Sequence, residues 1–322
     1  MEASVMKCNF CGSKANKIIY NYTRFERNNI LECKKCGLAF LEVKKTKKEI
    51  EEFYKEEYRK TKDLPKKSAE EMFNDPVIRR DCQERLEWIK KNYCNLKGKK
   101  VLEIGSSSGY FLEVLSSAGA EVIGVELLDS YATYARSLGF IVYSQPLETL
   151  DFKNEFDLVV MFHTLEHVFD PLSILRAINF SLKKGGVFMG EVPNQDDWRL
   201  KIFDNEIVKR FHYDPNHYYY FSPKTLKSYL ERCGFGKVIL ETVERYNSLI
   251  QLRRILSGYY NQKNVEEILR RDIFAKPKDD VRLPHFNNRQ EREFNKIFGE
   301  AVNNKLMGNC LRWQAKKVKV IK

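Results

Sequence analysis

The chain has 322 residues, of which 43% are hydrophobic and 31% charged, and its net charge is +12. These are globular values, so wholesale disorder is excluded, and no run approaches the ~18 apolar residues of a membrane span. The apolar residues after Met1 are broken by Lys7, Asn9 and Lys14, which makes no secretory h-region. The expectation is a soluble cytoplasmic protein, long enough for two domains.

The charge is unevenly spread. Residues 1–98 carry a net +7, residues 99–199 a net −6 and residues 200–322 a net +11. Basic arms around an acidic centre suit acidic partners: nucleic acid, a nucleotide-linked substrate or an anionic membrane. Most lysines lie in mixed-sign stretches such as KKTKKEIEEFYKEEYRK, which weakens the nucleic-acid case.

In chain order, the first feature is a pair of knuckles, Cys8-x2-Cys11 and Cys33-x2-Cys36, with 21 residues between them. Two such pairs at this separation have the spacing of a four-thiolate zinc site. Each knuckle continues with a glycine, Gly12 and Gly37, which frees the backbone to turn back toward the thiolates. With four thiolates the site is closed, hence structural Zn2+. Short β-prone runs (17–22, 30–32 and 38–41) place a zinc ribbon at 1–42.

A helical linker region follows at 43–98. Thr46 can cap a helix to about Arg59. Residues 60–75 are polar and contain Pro65, so they read as a linker. Pro76 opens a helix to about Tyr93, with Ile78, Cys82, Leu86, Ile89 and Tyr93 at helical spacing.

From Lys99 the pattern alternates. Strands are expected at 101–104, 122–125, 141–143, 158–162 and 187–192, with Lys183–Gly186 as a turn before the last. Helices fall at 110–118, 130–138 and 171–181. A helix at 223–233 and a strand at 237–243 follow. The βαβαβ order implies a doubly wound, mostly parallel sheet with helices on both faces. The core is assigned to 99–245. Residues 246–308 read as a helical insertion or lid with Phe294, Ile297, Phe298, Ala301, Val302 and Leu306 on one face. Residues 309–322 hold the final strand, at Leu311–Ile321.

The strand VLEI runs into Gly105-Ser-Ser-Ser-Gly109 and then a helix, and Glu126 ends the next strand 21 residues after Gly105. Small residues let the backbone approach a ligand, a helix N-terminus offers free N–H groups, and an acid at that distance can accept both ribose hydroxyls. The turn is G-x-x-x-G, not the G-x-G-x-x-G of a dinucleotide site. Glu103 suits a cationic ligand better than a pyrophosphate, which points to S-adenosylmethionine.

Here the chain resembles the class I S-adenosylmethionine-dependent methyltransferases, over about 99–243 plus the final strand. VLEIGSSSGYF is similar to their first motif, with Ser107 at its middle glycine. FDLVVMFHTLEHVFDP, LKKGGVFMGEVPN and NHYYYFSPKTLKSYLERCGF are similar to later segments, and the zinc ribbon looks like the N-terminal extension of one subgroup that modifies sugars or other small molecules. The resemblance implies a seven-stranded sheet and methyl transfer to a small molecule, with a nucleotide-linked sugar or a polysaccharide or secondary-metabolite precursor among the candidates. An RNA methyltransferase is the alternative, and a catalytically silent cofactor-binding module the second. The implied cofactor residues are Glu103, Gly105, Ser106, Ser107 and Gly109 for the methionine part, Glu126 for ribose, Leu127, Leu147 and Glu148 for adenine, and Phe162 and His163 beside the methyl donor.

His163-x-x-Glu166-His167 also has the H-x-x-E-H spacing of inverted zinc peptidases, but those need it within a helix. In ubiquinone-type O-methyltransferases acidic and His residues of this loop bind a divalent cation. The preferred reading is that Glu166 and His167 shape the loop wall. Sugar C-methyltransferases carry a catalytic His in a Tyr-x-Glu-His pattern after strand five. Here Asp214-Pro-Asn-His217 keeps the His, so His217 is the expected base, with packing against Tyr218–Tyr220 as the competing reading.

Overall fold

The computed structural model describes residues 6–24, 26–43, 67–93, 95–203, 205–245, 247–256 and 288–320. The helix expected at 46–59 lies outside them. Among the described residues the strands are β1 (Asn16–Tyr20), β2 (Ile30–Cys33), β3 (Ala39–Leu41), β4 (Lys100–Ile104), β5 (Glu121–Val125), β6 (Ile141–Tyr143), β7 (Phe156–Phe162), β8 (Leu182–Pro193), β9 (Tyr219–Tyr220), β10 (Phe235–Val243) and β11 (Cys310–Lys317). No described helix is long and apolar enough to cross a membrane. The chain forms two compact units. One holds 1–43, 192–226 and 240–312, the other 44–191, 227–239 and 313–322.

The second unit is built on a seven-stranded sheet of order β10-β11-β8-β7-β4-β5-β6. The pairs β4–β5, β4–β7, β5–β6 and β7–β8 are parallel, as the alternation of strand and helix requires. The doubly wound fold is therefore the one expected. β7 is buried at nearly every position, which is why its sequence is a continuous apolar run and not an alternating one. Helix Pro76–Asn92 is capped by Asp75, whose carboxylate accepts from the N–H groups of Val77 and Ile78. Its apolar face (Cys82, Leu86, Ile89) packs with Val101, Phe111 and Leu158 in the main core.

Three expectations need correction in this unit. The linker at 60–75 contains a short helix, Ala69–Phe73, started by a reciprocal capping box between Ser68 and Glu71. β8 begins at Leu182, not Val187: Phe156 pairs with Leu182, and the register then shifts, so the lysine-glycine turn is absorbed as an irregularity within the strand. β11 ends at Lys317, because Val318 and Val320 beyond it are exposed despite their alternation.

The first unit carries a four-stranded sheet of order β1-β2-β3-β9. β3 pairs antiparallel with β9, Ala39 opposite Tyr220 and Phe40 opposite Tyr219. The ribbon sheet thus takes a strand from residues some 180 positions away. Arg24 reinforces the join with an ion pair to Asp214 at 3.2 Å. Helices Ser248–Leu256 and Asn288–Asn304 supply part of a second core around the fully buried Trp198, with Ile207, Val208, Ile255 and Val302. Ile297 does not join the expected apolar face and is exposed. Phe294 instead stacks on Phe298, whose ring meets Trp198 edge-on.

Gly190 of β8 is closed in by Met161 O and the Trp313 indole, which a Cβ would overlap. Trp313 is fully buried and packs edge-on against Phe188. Gly190→Val should cost ~1–3 kcal/mol or more through overpacking. A lowered urea midpoint with unchanged slope is the expected readout.

Candidate active site

β4 ends in a turn that only small residues can make. Gly105 has φ +77° and Gly109 φ +87°. A Cβ on Gly105 would overlap Thr164 Oγ1. The N–H groups of Gly105 and Ser106 donate to Val125 O at 2.8 and 3.1 Å, tying the turn to β5. Ser107 adopts φ +48°, and its N–H donates to Glu126 Oε2 at 2.8 Å, while Leu128 N–H donates to Oε1 at 2.8 Å. Glu126 is therefore oriented from both sides before any ligand arrives.

These groups border a cavity of about 450 Å³. Every residue that the resemblance assigns to the cofactor lines it except Gly109. Gly109 instead opens helix Tyr110–Ser117, where its missing side chain admits Ala135 of the neighbouring helix. Leu147 and Glu148 reach the cavity from a short 3-10 turn after β6.

A nucleoside with a positively charged amino-acid tail fits these walls. Glu103 Oε2, Ser106 Oγ and Ser107 Oγ are buried without a hydrogen-bond partner among the described residues. Such groups are costly unless a ligand satisfies them. Burial pushes the Glu103 carboxyl up to about 8, with Arg85 opposing and Glu126 adding to the rise. A cation placed beside Glu103 would be stabilised by its ionised form.

β7 ends at Phe162 and turns at His163, which has φ +47°. The His163 N–H donates to Glu191 O at 2.8 Å. Its ring nitrogens face two carboxylates: Nε2 lies 2.8 Å from Glu191 Oε1 and Nδ1 lies 3.3 Å from Glu166 Oε1. Glu191 is 0% exposed and Glu166 1%. Arg85 adds a guanidinium 3.6 Å from Glu191 and 4.6 Å from the Phe162 ring centroid. His163-x-x-Glu166-His167 lies in a 3-10 turn over Leu165–His167, not in a peptidase helix.

Sequence reasoning missed Glu191 and Arg85. The signals were there: Glu191 is the one charge in the apolar stretch Gly186–Val192, and Arg85 falls on the apolar stripe of its helix, three residues after Cys82. A charge at a core position calls for a buried partner.

In the other unit, Cys8, Cys11, Cys33 and Cys36 converge, with their sulfurs all within 4.8 Å of one another. Tetrahedral zinc with bonds near 2.3 Å sets sulfurs about 3.8 Å apart. The Cys8–Cys36 and Cys11–Cys33 separations of 3.5 Å suit it. The two knuckles are built alike. Gly12 N–H donates to Cys8 O and Gly37 N–H to Cys33 O, while Cys8 N–H reaches Ser13 O and Cys33 N–H reaches Leu38 O. Burial pushes the Cys8 thiol up to about 11. At Cys33 burial raises the thiol, but the backbone N–H groups of Cys36 and Lys35 together with the Cys11 and Cys36 thiols more than offset it and bring the thiol down to about 7. His217 belongs to this same unit. Its N–H donates to Asp214 O at 3.1 Å, and its ring lies 6.1 Å from that of Tyr220.

Residues 74–239 match the family described as methyltransferase domain, just over half of the chain. The chain belongs to the class I S-adenosylmethionine-dependent methyltransferases. Over 180 residues the enzyme is 31% identical to a ubiquinone biosynthesis O-methyltransferase of Bordetella avium, covering 52% of this chain and 74% of that protein. A protein of the same description from Acinetobacter baylyi is 33% identical over 137 residues, 39% of this chain and 58% of that one. A methyltransferase structure from Archaeoglobus fulgidus covers 77% of this chain and 97% of its own, at 23% identity and a TM-score of 0.49. S-adenosylmethionine supplies an already activated methyl group, so this methyltransferase must bind, orient and manage a proton.

Because Glu103 holds its proton up to about pH 8, a cationic ligand beside it should expel that proton. Binding of S-adenosylmethionine near pH 7 should release protons, read by calorimetry in buffers of different ionisation enthalpy, and Glu103→Gln should abolish the release. The same raised carboxyl makes the fold bind more protons than the unfolded chain between its ordinary range and about 8. Stability should therefore fall as pH rises through that window, and less so in Glu103→Gln. Glu126→Ala should weaken S-adenosylmethionine binding at least tenfold, since charged-group hydrogen bonds are worth ~1.5–3 kcal/mol.

Proposed function

We propose that this methyltransferase transfers the methyl group to a hydroxyl oxygen of a small-molecule acceptor, with a structural zinc ion in the ribbon. The observation that carries the reading is the joint placement of two turns on one cavity: the Glu126-braced loop after β4, and the Phe162–His163 turn after β7. The first suits a nucleoside and its amino-acid tail. The second offers a polar, proton-exchanging wall to an acceptor. The names of the Bordetella and Acinetobacter relatives support oxygen as the nucleophile.

An anionic acceptor, such as a nucleotide-linked sugar, is a second reading, favoured by the net charge of +11 on residues 200–322. The test is incubation with deuterated-methyl S-adenosylmethionine and panels of phenols, sugar nucleotides, amines and RNA, followed by mass spectrometry. Label on a small-molecule oxygen is expected. Label on RNA alone, at a rate that falls steeply with salt, would overturn the reading.

For the ribbon, metal analysis of protein purified without chelator should give about one zinc per chain. Cys33→Ala should lose it and loosen the β1–β3 sheet. Full zinc retention in that variant would sink the assignment.

A further inference from the structure

The carboxylates around His163, Glu166 and Glu191, do not line the cavity that the cofactor residues border. Burying the two carries a desolvation cost that only pairing and hydrogen bonds offset. Both face the same imidazole, and the left-handed backbone at His163, uncommon for a residue with a side chain, turns that imidazole toward the cavity it lines. Strain of this kind persists only where the surroundings enforce it. Here they do: His163 N–H is held by Glu191 O, and Phe162 pairs with Glu191 in the β7–β8 register. The imidazole and its carboxylate are set by adjacent parallel strands, not by a loose loop.

We propose that His163 is the base that takes the acceptor hydroxyl's proton, through Nδ1, with Glu191 as the positioning residue that fixes its ring and Glu166 as the carboxylate that steadies the imidazolium so formed. This deepens the O-methylation reading and rests on it. A carboxylate only accepts, so the 2.8 Å contact places the proton of the neutral ring on Nε2, and Nδ1, whose contact to Glu166 is the longer of the two, is the nitrogen an acceptor hydroxyl would take. A hydroxyl does not fit within the 3.3 Å between Glu166 and Nδ1, so the acceptor would displace that longer contact, and Glu166 beside it would then stabilise the charge formed on the ring. In the step, the acceptor O–H bond breaks and its proton goes to Nδ1. The oxygen lone pair forms the O–C bond as the C–S bond breaks, and that electron pair stays on sulfur. The ring then loses its proton to solvent through its partly exposed edge.

Within this unit the charged groups around the ring come from several elements. Glu191 stands on β8, Glu166 and His167 on its own turn, Arg85 on helix Pro76–Asn92, and Glu103 on β4 across the same cavity. Arg85 belongs with Glu191, where it balances one carboxylate so that the second can answer the imidazolium. The assignment places the proton transfer at His163 rather than at His217.

The test compares wild type with His163→Gln, Glu191→Gln and His217→Gln. S-adenosylhomocysteine binding, read by calorimetry, serves as the folding control: it should stay within a few-fold in Glu191→Gln and His217→Gln, and saturable binding in His163→Gln, whose side chain lines the cofactor cavity, shows that the fold is kept. A series of phenols of graded acidity is the acceptor probe. With weakly acidic phenols His163→Gln should cut turnover ~10²–10⁴-fold, the usual range for a lost base. With phenols already ionised at the assay pH the loss should shrink to a few-fold. In Glu191→Gln, NMR of ring-labelled histidine should show the His163 ring titrating at lower pH than in wild type, with the acid limb of the pH–rate profile moving likewise. Equal losses across the phenol series, an unmoved His163 titration, or a base-like loss in His217→Gln alone would overturn the proposal. So would activity abolished by chelator and restored by a divalent cation, which would make the cluster a metal site. If wild type methylates neither a phenol nor a sugar-nucleotide hydroxyl, the O-methylation reading falls, and the ring titration still decides whether Glu191 governs His163.

Discussion

Gly105 has no room for a side chain, and most of the site follows from that. β4 and β7 are parallel neighbours that end at the same level, and the turn leaving one must pass the turn leaving the other. Thr164 Oγ1 occupies the space where a Cβ on Gly105 would be. With that contact made, the β4 turn can rise into positive φ, present Ser107 N–H to Glu126 and leave the cavity open between the two strand ends. The β7 turn goes the other way, through the left-handed backbone of His163. The shared edge of a parallel sheet is where such folds bind ligands, because strand ends there diverge and helix N-termini converge.

The cavity is acidic within a basic protein. Residues 99–199 carry a net −6 while the flanks carry +7 and +11. Part of that acidity is buried: Glu103, Glu166 and Glu191 are all nearly inaccessible. Burial favours the neutral acid at Glu103, one of whose oxygens has no hydrogen-bond partner among the described residues. At Glu166 and Glu191 the partners are an imidazole and a guanidinium. Glu103, on the cavity wall, is thus a carboxyl poised to ionise against an incoming cation, while Glu166 and Glu191 flank the ring of His163, which lines the same cavity. This is the usual way a single fold separates acid–base roles, through environment and not through residue type.

The ribbon follows a different logic. Its strands are three to five residues long, too short to hold together by packing alone, and its two knuckles are closed by the same pair of backbone hydrogen bonds. A metal at the four thiolates would act as the cross-link that a core this small lacks. β9 pairs with β3, and Arg24 holds Asp214 by an ion pair and Phe211 O by a hydrogen bond. The ribbon therefore shares a sheet with the segment that carries His217. Loosening the metal would be felt along residues 211–221 as well as in the ribbon.

What could be read from the chain itself was local. The apolar run of β7, the stripe of helix Pro76–Asn92, the glycine turn after β4 and the cysteine spacing each encode their structure within a few residues, through periodicity, capping and permitted φ. Glu126 and the first-motif residues were legible because a βαβ unit holds a nearly constant distance from turn to acid. The bend inside β8, the end of β11 and the exposure of Ile297 were not, since they depend on which neighbour each residue meets. Nor was the pairing of β9 with β3, or of Glu191 and Arg85 with His163. In sequence Glu191 is a lone acid in a strand and Arg85 a lone base on a helix, 28 and 78 residues from the histidine. Only the β7–β8 register, and the packing of that helix over β4, bring the three together. Hydrogen bonds between strands are chosen by the whole sheet, and a residue's own neighbours along the chain carry no record of that choice.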